Sequence, residues 1–507
     1  MRPAVNEVLP AGAAAEQRAD SDVDLAQSLR NALKLAGSLV ATWGVALAVR
    51  LVLPRTLGPA GFGIYNFADA FSTTCFIALT LGVDQYIHKE VAVRLDHASD
   101  FLGGVFLLRF LGGALVALGM WGGLILGHRS TEVQETVLLF AGVQLFSLDN
   151  DTLSALLHAA NRVDGLTVSN IATKLLWGGL LIALATTHAG GLPALAGATL
   201  AVEMLRTGWL WILARRGLGL TAGVRLRPVV AVLLASLPFF VTAIAHTAYS
   251  KVDATMLAFL SSDAEVGYYG AAANLASLTL LLTPLIGWVF LPLTARAAAR
   301  SREGLLALMQ HALRVTVSLA IPLALGIWLA ARDLTHLAFG AAFLPATLTL
   351  QVLAPLFVVT YVAIVASTCL IRLDRPWTVT AISLAGLVLT PLLNLLLVKP
   401  CAHAFGPGGA GAGAAVSLLI TELSVTTAML IALRGQILSR DNLRSSAASA
   451  CCAVLVLVLD RALWGLGAWR YLVDAVAYLG LATATGGLRP SEVLRVLGQG
   501  LRTRKAT

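Results

Sequence analysis

Apolar runs of about 20 residues recur along this 507-residue chain, and each is long enough to cross the hydrocarbon core of a bilayer as a helix. They lie near 32–53, 62–84, 101–126, 135–157, 166–187, 192–214, 237–260, 267–292, 311–331, 344–371, 376–398, 409–433, 447–466 and 471–488. Their period is helical rather than alternating, which excludes a transmembrane barrel. Only 12% of residues are charged and 58% are hydrophobic, against about a quarter charged in soluble domains. The chain therefore reads as an all-α, polytopic membrane protein with about 14 transmembrane helices.

Loop charges orient it. With the amino terminus inside, the inner segments hold 24 of the 36 lysines and arginines, and the outer segments hold six. This places both termini in the cytoplasm and spends the net charge of +9 at the membrane surface, so nucleic acid is not an expected partner. The longest inner loop, 215–228, follows six spans. We expect a cytoplasmic tail over 1–31, mobile and polar, and a first lobe over 32–214. The 215–228 loop joins it to a second lobe over 229–434, followed by two further helices within 435–488 and a basic tail over 489–507. An even number of spans per lobe makes the two parallel pseudo-repeats. The five cysteines show no metal or disulfide spacing, and no cofactor is expected.

A repeat supports two copies of one module. Offsetting the chain by 204 residues pairs Gly63 with Gly267, Tyr65 with Tyr269, Ala68 with Ala272 and Leu81 with Leu285. In the first copy, Leu53-Pro54 ends a helix, Arg55 to Gly61 forms a loop and Phe62 opens the next helix. RTLGPAGFGIYNFADAF (55–71), LGVDQYIHKEVA (81–92), KVDATMLAFLSSDAEVGYYGAAANLASL (251–278) and AFGPGGAGAGAAVSLLITE (404–422) carry a family resemblance. The chain resembles the polysaccharide-export and lipid-linked oligosaccharide flippases of the multidrug/oligosaccharidyl-lipid/polysaccharide exporter superfamily. That resemblance implies a two-lobed, V-shaped fold, alternating access and a central cavity lined by helices one, two, seven and eight. It also implies residence in the bacterial cytoplasmic (inner) membrane and a lipid-linked glycan substrate. Membrane lipids, a polysaccharide polymerase and chain-length proteins are the partners that would go with it.

Ionisable residues inside spans are the functional candidates, because lipid makes them costly. In the seventh span Thr242, His246, Tyr249, Ser250 and Asp253 draw one polar stripe, read as a cavity wall, while Lys251 points elsewhere. His246 and Asp253 are candidates for ion coupling. Lys251, Arg50 and Asp69 are candidates for substrate binding, with Arg50 taken as the partner of Asp69 by helix adjacency. Arg109, Lys174, Arg206, Arg314, Glu203 and Glu422 read as structural, and Gly409 with Gly413 reads as close helix packing. No nucleotide-binding loop of the Walker type is present, so the chain does not power transport by its own ATP hydrolysis. The favoured function is a flippase for an undecaprenyl-diphosphate-linked oligosaccharide, not an enzyme. The alternatives are an ion-coupled multidrug efflux transporter and a non-transporting scaffold of a polysaccharide synthase. The orientation predicts that reporters fused within 215–228 and after Thr507 register as cytoplasmic, and an external signal from either refutes it.

Overall fold

The computed structural model describes residues 11–87, 91, 98–160, 162–220, 223, 226–282, 294 and 301–488. Side chains are described from 42 onward, except at 85, 226–227, 238–239, 242–243, 245–250, 281–282 and 464. Apart from short turns, these residues form fourteen helices and no strand. The first helical stretch, Ala11–Phe76, breaks at Gly58 (φ 68°, ψ 176°) into α1 (11–57) and α2 (59–76). There follow α3 (Ala98–Leu126), α4 (Thr131–Ala159), α5 (Val163–Thr187), α6 (Gly191–Leu218), α7 (Leu226–Leu260) and α8 (Asp263–Ala276). The chain continues with α9 (Arg302–Phe339), α10 (Ala346–Arg372), α11 (Pro376–Phe405), α12 (Gly409–Ala432), α13 (Arg440–Ala462) and α14 (Trp469–Ala484). Among the described residues, eight helical stretches are long and apolar enough to span a membrane.

One expectation is corrected. Residues 55–61 are not a loop: the helix runs through Pro54, and one residue, Gly58, makes the turn. The Thr56 hydroxyl donates to the Val52 and Leu53 carbonyls (3.2 and 3.1 Å), the local back-bond of a helical threonine. Residues 11–31, read as a tail, continue α1 as helix, in keeping with the alanine-rich stretch AGAAAEQRAD. Residues 1–10 and 489–507, Lys89, Arg94, Arg225, Arg296 and Arg300 of the loop count, and Leu285 of the repeat lie outside the described residues.

The expected second span is interrupted as well. α2 stops at Phe76 and gives way to a 3₁₀ turn, Ile77–Thr80, then to Leu81 (φ 55°) and Gly82 (φ 66°) in the left-handed region. Unwound backbone inside a membrane protein needs donors, and Arg109 of α3 supplies them. Its fully buried guanidinium donates to the carbonyls of Leu79 (2.9 Å), Thr80 (3.1 Å) and Leu148 (3.0 Å), and to Asp149 and Thr152 of α4. Thr152 in turn donates to Asp84 (2.6 Å). The structural reading of Arg109 therefore has a specific content: it holds the break in the second span.

The two modules meet at the end of the bundle where α1 turns into α2, here called the kink end. Gly63 of α2 and Gly267 of α8 face each other. A methyl on Gly63 would strike the Asp263 carbonyl and the Gly267 amide, and one on Gly267 would strike the Pro59 carbonyl and the Gly63 amide. The contact is reciprocal and obeys the 204-residue offset, as a two-fold relation between modules requires. Around it, Arg129 pairs with Asp263 (2.9 Å) and lies over the Phe67 ring, and Arg55 donates to the Leu337 carbonyl. Phe343 receives Phe62 and Tyr268 edge-on. Glu265 accepts the amides of Gly408 (2.6 Å) and Gly411 (3.0 Å) at the start of α12, where the helix dipole favours a carboxylate. Gly409 and Gly413 lie against the Cys401 and Leu397 carbonyls of α11, the expected close packing. The last two helices dock on α9, where Arg470 lies 3.5 Å from Asp460 and 3.6 Å from Asp333.

The reciprocal contact predicts a large asymmetry among glycine substitutions. Gly63→Ala and Gly267→Ala should each destabilise the protein by about 1–3 kcal/mol through overpacking. Gly119→Ala, where a methyl enters open space, should cost nothing and can add up to about 1 kcal/mol of helix propensity. Thermal unfolding of the three variants in detergent checks this.

Candidate functional site

Where the helices of the two modules face each other below the glycine contact, they present charge. Asp69 projects from α2, about 9 Å along the helix from Gly63. Lys251 projects from α7, and its Nζ lies 3.1 Å from Asp69 Oδ2. The two side chains are 41% and 36% exposed, so the pair is open to solvent or to a ligand. Arg50 of α1 is exposed and donates to the Ser277 hydroxyl at the end of α8 (3.4 Å). Thr73, one turn beyond Asp69, donates to the Asp69 carbonyl and accepts from Gln144 of α4 (2.9 Å). One turn before Asp69, the Asn66 amide lies over Gly270 of α8, where a Cβ would displace it. The elements that meet here are α1, α2, α7 and α8.

The pairing expected from helix adjacency is corrected: the partner of Asp69 is Lys251, not Arg50. α7 and α8 both lie against the α1–α2 stretch and bring nearer partners than the other side of the kink does. Lys251 and Asp253 face different sides of α7, as their two-residue spacing implies: Lys251 faces α2, and Asp253, read as part of a cavity wall, faces the second module's interior. Two residues are separated by about 200° around a helix, so only one of them can face the junction. Asp253 is fully buried, accepts a hydrogen bond from Asn394 of α11 (2.7 Å) and sits beside Tyr269 of α8. Its second carboxylate oxygen has no partner among the described residues. The side chains of Thr242, His246, Tyr249 and Ser250 lie outside the described positions.

The remaining in-span charges have local partners except Glu422 of α12, which is buried with no polar partner among the described residues. Glu203 receives Asn150 (2.7 Å) and neighbours Arg206 (3.7 Å), the neutralising i, i+3 pair expected. Lys174 sits 3.8 Å above the Trp177 ring, and Arg314 donates to Asn442 (3.1 Å). Sequence reasoning missed Asn66, though its signal was available: it is three residues before Asp69 and so shares a helix face. The Arg129–Asp263 and Glu265–Gly408 contacts had no signal in the sequence, because each partner sits in an ordinary turn or helix start.

Residues 28–298 match the model of a family described as polysaccharide biosynthesis protein. The fold is similar to that of lipid II flippase MurJ in an inward closed conformation, with a TM-score of 0.65 at 13% identity, covering 90% of this chain and 98% of that one. It is also similar to a multidrug resistance MATE family transporter of the MOP superfamily in an inward-facing conformation, with a TM-score of 0.59 at 16% identity, covering 77% of this chain and 94% of that one. No curated protein matches the chain.

The geometry predicts a modest, measurable coupling between Asp69 and Lys251. A double-mutant cycle with Asp69→Asn and Lys251→Met, read by thermal unfolding, should return at most about 1 kcal/mol, because both groups are partly exposed and screened. The charge swap Asp69→Lys with Lys251→Asp should recover stability lost in either single variant.

Proposed function

The chain belongs to the polysaccharide biosynthesis protein family, and from that premise we propose that it flips a lipid-linked oligosaccharide across the bacterial cytoplasmic membrane by alternating access. The carrier we favour is undecaprenyl diphosphate. The observation that carries the proposal is the half-exposed Lys251–Asp69 pair, set between helices of the two modules. A diphosphate cannot enter lipid unaided, since desolvating the anion is too costly. A cation in a wet cleft offsets that cost, and arginine or lysine is the natural partner of a phosphate. In the empty protein Asp69 occupies Lys251; an arriving diphosphate competes for it, with exposed Arg50 of α1 as our candidate for a second donor. The glycan stays in the cleft while the lipid tail remains in the bilayer.

In this reading the modules are lobes over 32–214 and 229–434 that rock about the glycine contact, with 215–228 joining them on the cytoplasmic side. The kink end is then the periplasmic end, closed by Arg129–Asp263 and the Phe343 cluster. Asp253, with one carboxylate oxygen unpartnered among the described residues, and His246 of the same helix are our candidates for a response to a proton or sodium gradient. Polymerase and chain-length proteins are the partners that this function calls for. A second reading, efflux of organic cations, draws on the acidic half of the same pair, since Asp69 would then be the ligand-binding group.

Replacing Lys251 separates the two. Lys251→Ala should abolish surface polysaccharide and make lipid-linked precursor accumulate on the cytoplasmic side, and Lys251→Arg should partly restore export. Asp69→Asn should be milder, because it frees the cation. Normal export by a Lys251→Ala protein that reaches the membrane in ordinary amounts refutes the phosphate role. A larger defect in Asp69→Asn than in Lys251→Ala favours the efflux reading.

A further inference from the structure

At the opposite end of the bundle from the kink, three segments distant in sequence enclose a second basic site. The start of α9, the turn joining α10 to α11 and the turn after α12 line a cavity of about 410 Å³. Four arginines border it, Arg302, Arg372, Arg375 and Arg434, and the one acidic residue in its lining is Asp374. Among the described residues none of the four arginines forms an ion pair. Arg302 donates to the Gln436 side chain (3.2 Å), and Arg375 reaches the Ala432 carbonyl at 3.4 Å, so most of their donors remain available.

Loop arginines are expected on a cytoplasmic face, and two of these gain from the carbonyl ends of α10 and α12. Neither effect accounts for the arrangement. Arg302 is the first residue of α9, at the end of a helix that disfavours a cation. Arg434 sits at φ 52°, in the left-handed position after α12 that ordinarily goes to glycine, although a glycine follows it directly at 435. Strain of that kind persists where the side chain is needed. The turn bearing Arg434 is braced from below, where Gln310 donates to the Gln436 carbonyl (2.8 Å).

We propose that Arg302, Arg372, Arg375 and Arg434 form a binding site for a phosphate-bearing anion, separate from the central pair and independent of the flippase reading. Guanidinium forks on three sides of a cavity this size suit a phosphate or diphosphate, which they can hold bidentately. The same chemistry can come from the headgroup of an anionic lipid at the membrane edge or from a soluble phosphate compound.

Thermal unfolding of the full chain distinguishes the sources. One arm titrates inorganic pyrophosphate into protein in neutral detergent. The other compares phosphatidylcholine nanodiscs with and without phosphatidic acid. The wild type should be stabilised in at least one arm: pyrophosphate binding identifies a soluble source, and a response to phosphatidic acid alone identifies a lipid. Arg434→Gly removes a guanidinium while relieving the left-handed backbone, so the unliganded protein should unfold no earlier than wild type. Combined with Arg372→Gln, it should weaken the response by about tenfold or more. No stabilisation in either arm, or an undiminished response in the double variant, overturns the proposal.

Discussion

Two backbones touch at Gly63 and Gly267, and much of the structure depends on that approach. Lipid gives helices no hydrophobic reason to associate, so tight packing between small residues must do so. A side chain at either glycine would separate α2 from α8 by the width of a methyl group. The partners that close the kink end sit within reach only because the helices lie this close. Arg129 reaches Asp263 in the turn before α8, and Phe343 fills the gap between Phe62 and Tyr268. Because the contact is reciprocal, it is the pivot about which the lobes would rock in the function proposed above.

Below that contact the second span departs from regular helix, and the protein compensates for it. The break over Ile77–Gly82 leaves carbonyls without their helical donors. Arg109 is the donor that makes the break tolerable, and Thr152 and Asp84 extend the network to the following turn. An arginine that looks functional by its rarity in a span is here the support for an irregular backbone. Asp69 sits on the same helix, seven residues before its end, so the break and the charge pair belong to one mechanical unit.

The candidate site was partly legible. Rarity of charge in lipid was enough to single out Arg50, Asp69, Lys251 and Asp253. It was not enough to pair them. The spacing in α7 offered two faces, one with Asp253 and the polar stripe and one with Lys251, and of these it is Lys251 that meets Asp69. The stripe's buried member hydrogen-bonds Asn394, 141 residues away, which no local pattern discloses. The four-arginine cavity was invisible for the same reason: its residues come from three loops that the orientation rule counts separately.

By itself the sequence determined the class, the number of helices and the repeat, because hydrophobic length, loop charge and a 204-residue offset are properties of the chain read in order. It also marked the glycines whose contact relates the modules. The tertiary structure decided what faces what. It turned an expected loop at 55–61 into a single-residue kink, assigned Asp69 to Lys251 and gathered Arg302, Arg372, Arg375 and Arg434 around one cavity. The physical reason is that helix periodicity fixes which residues share a face, while rotation and neighbours are set by contacts between segments hundreds of residues apart.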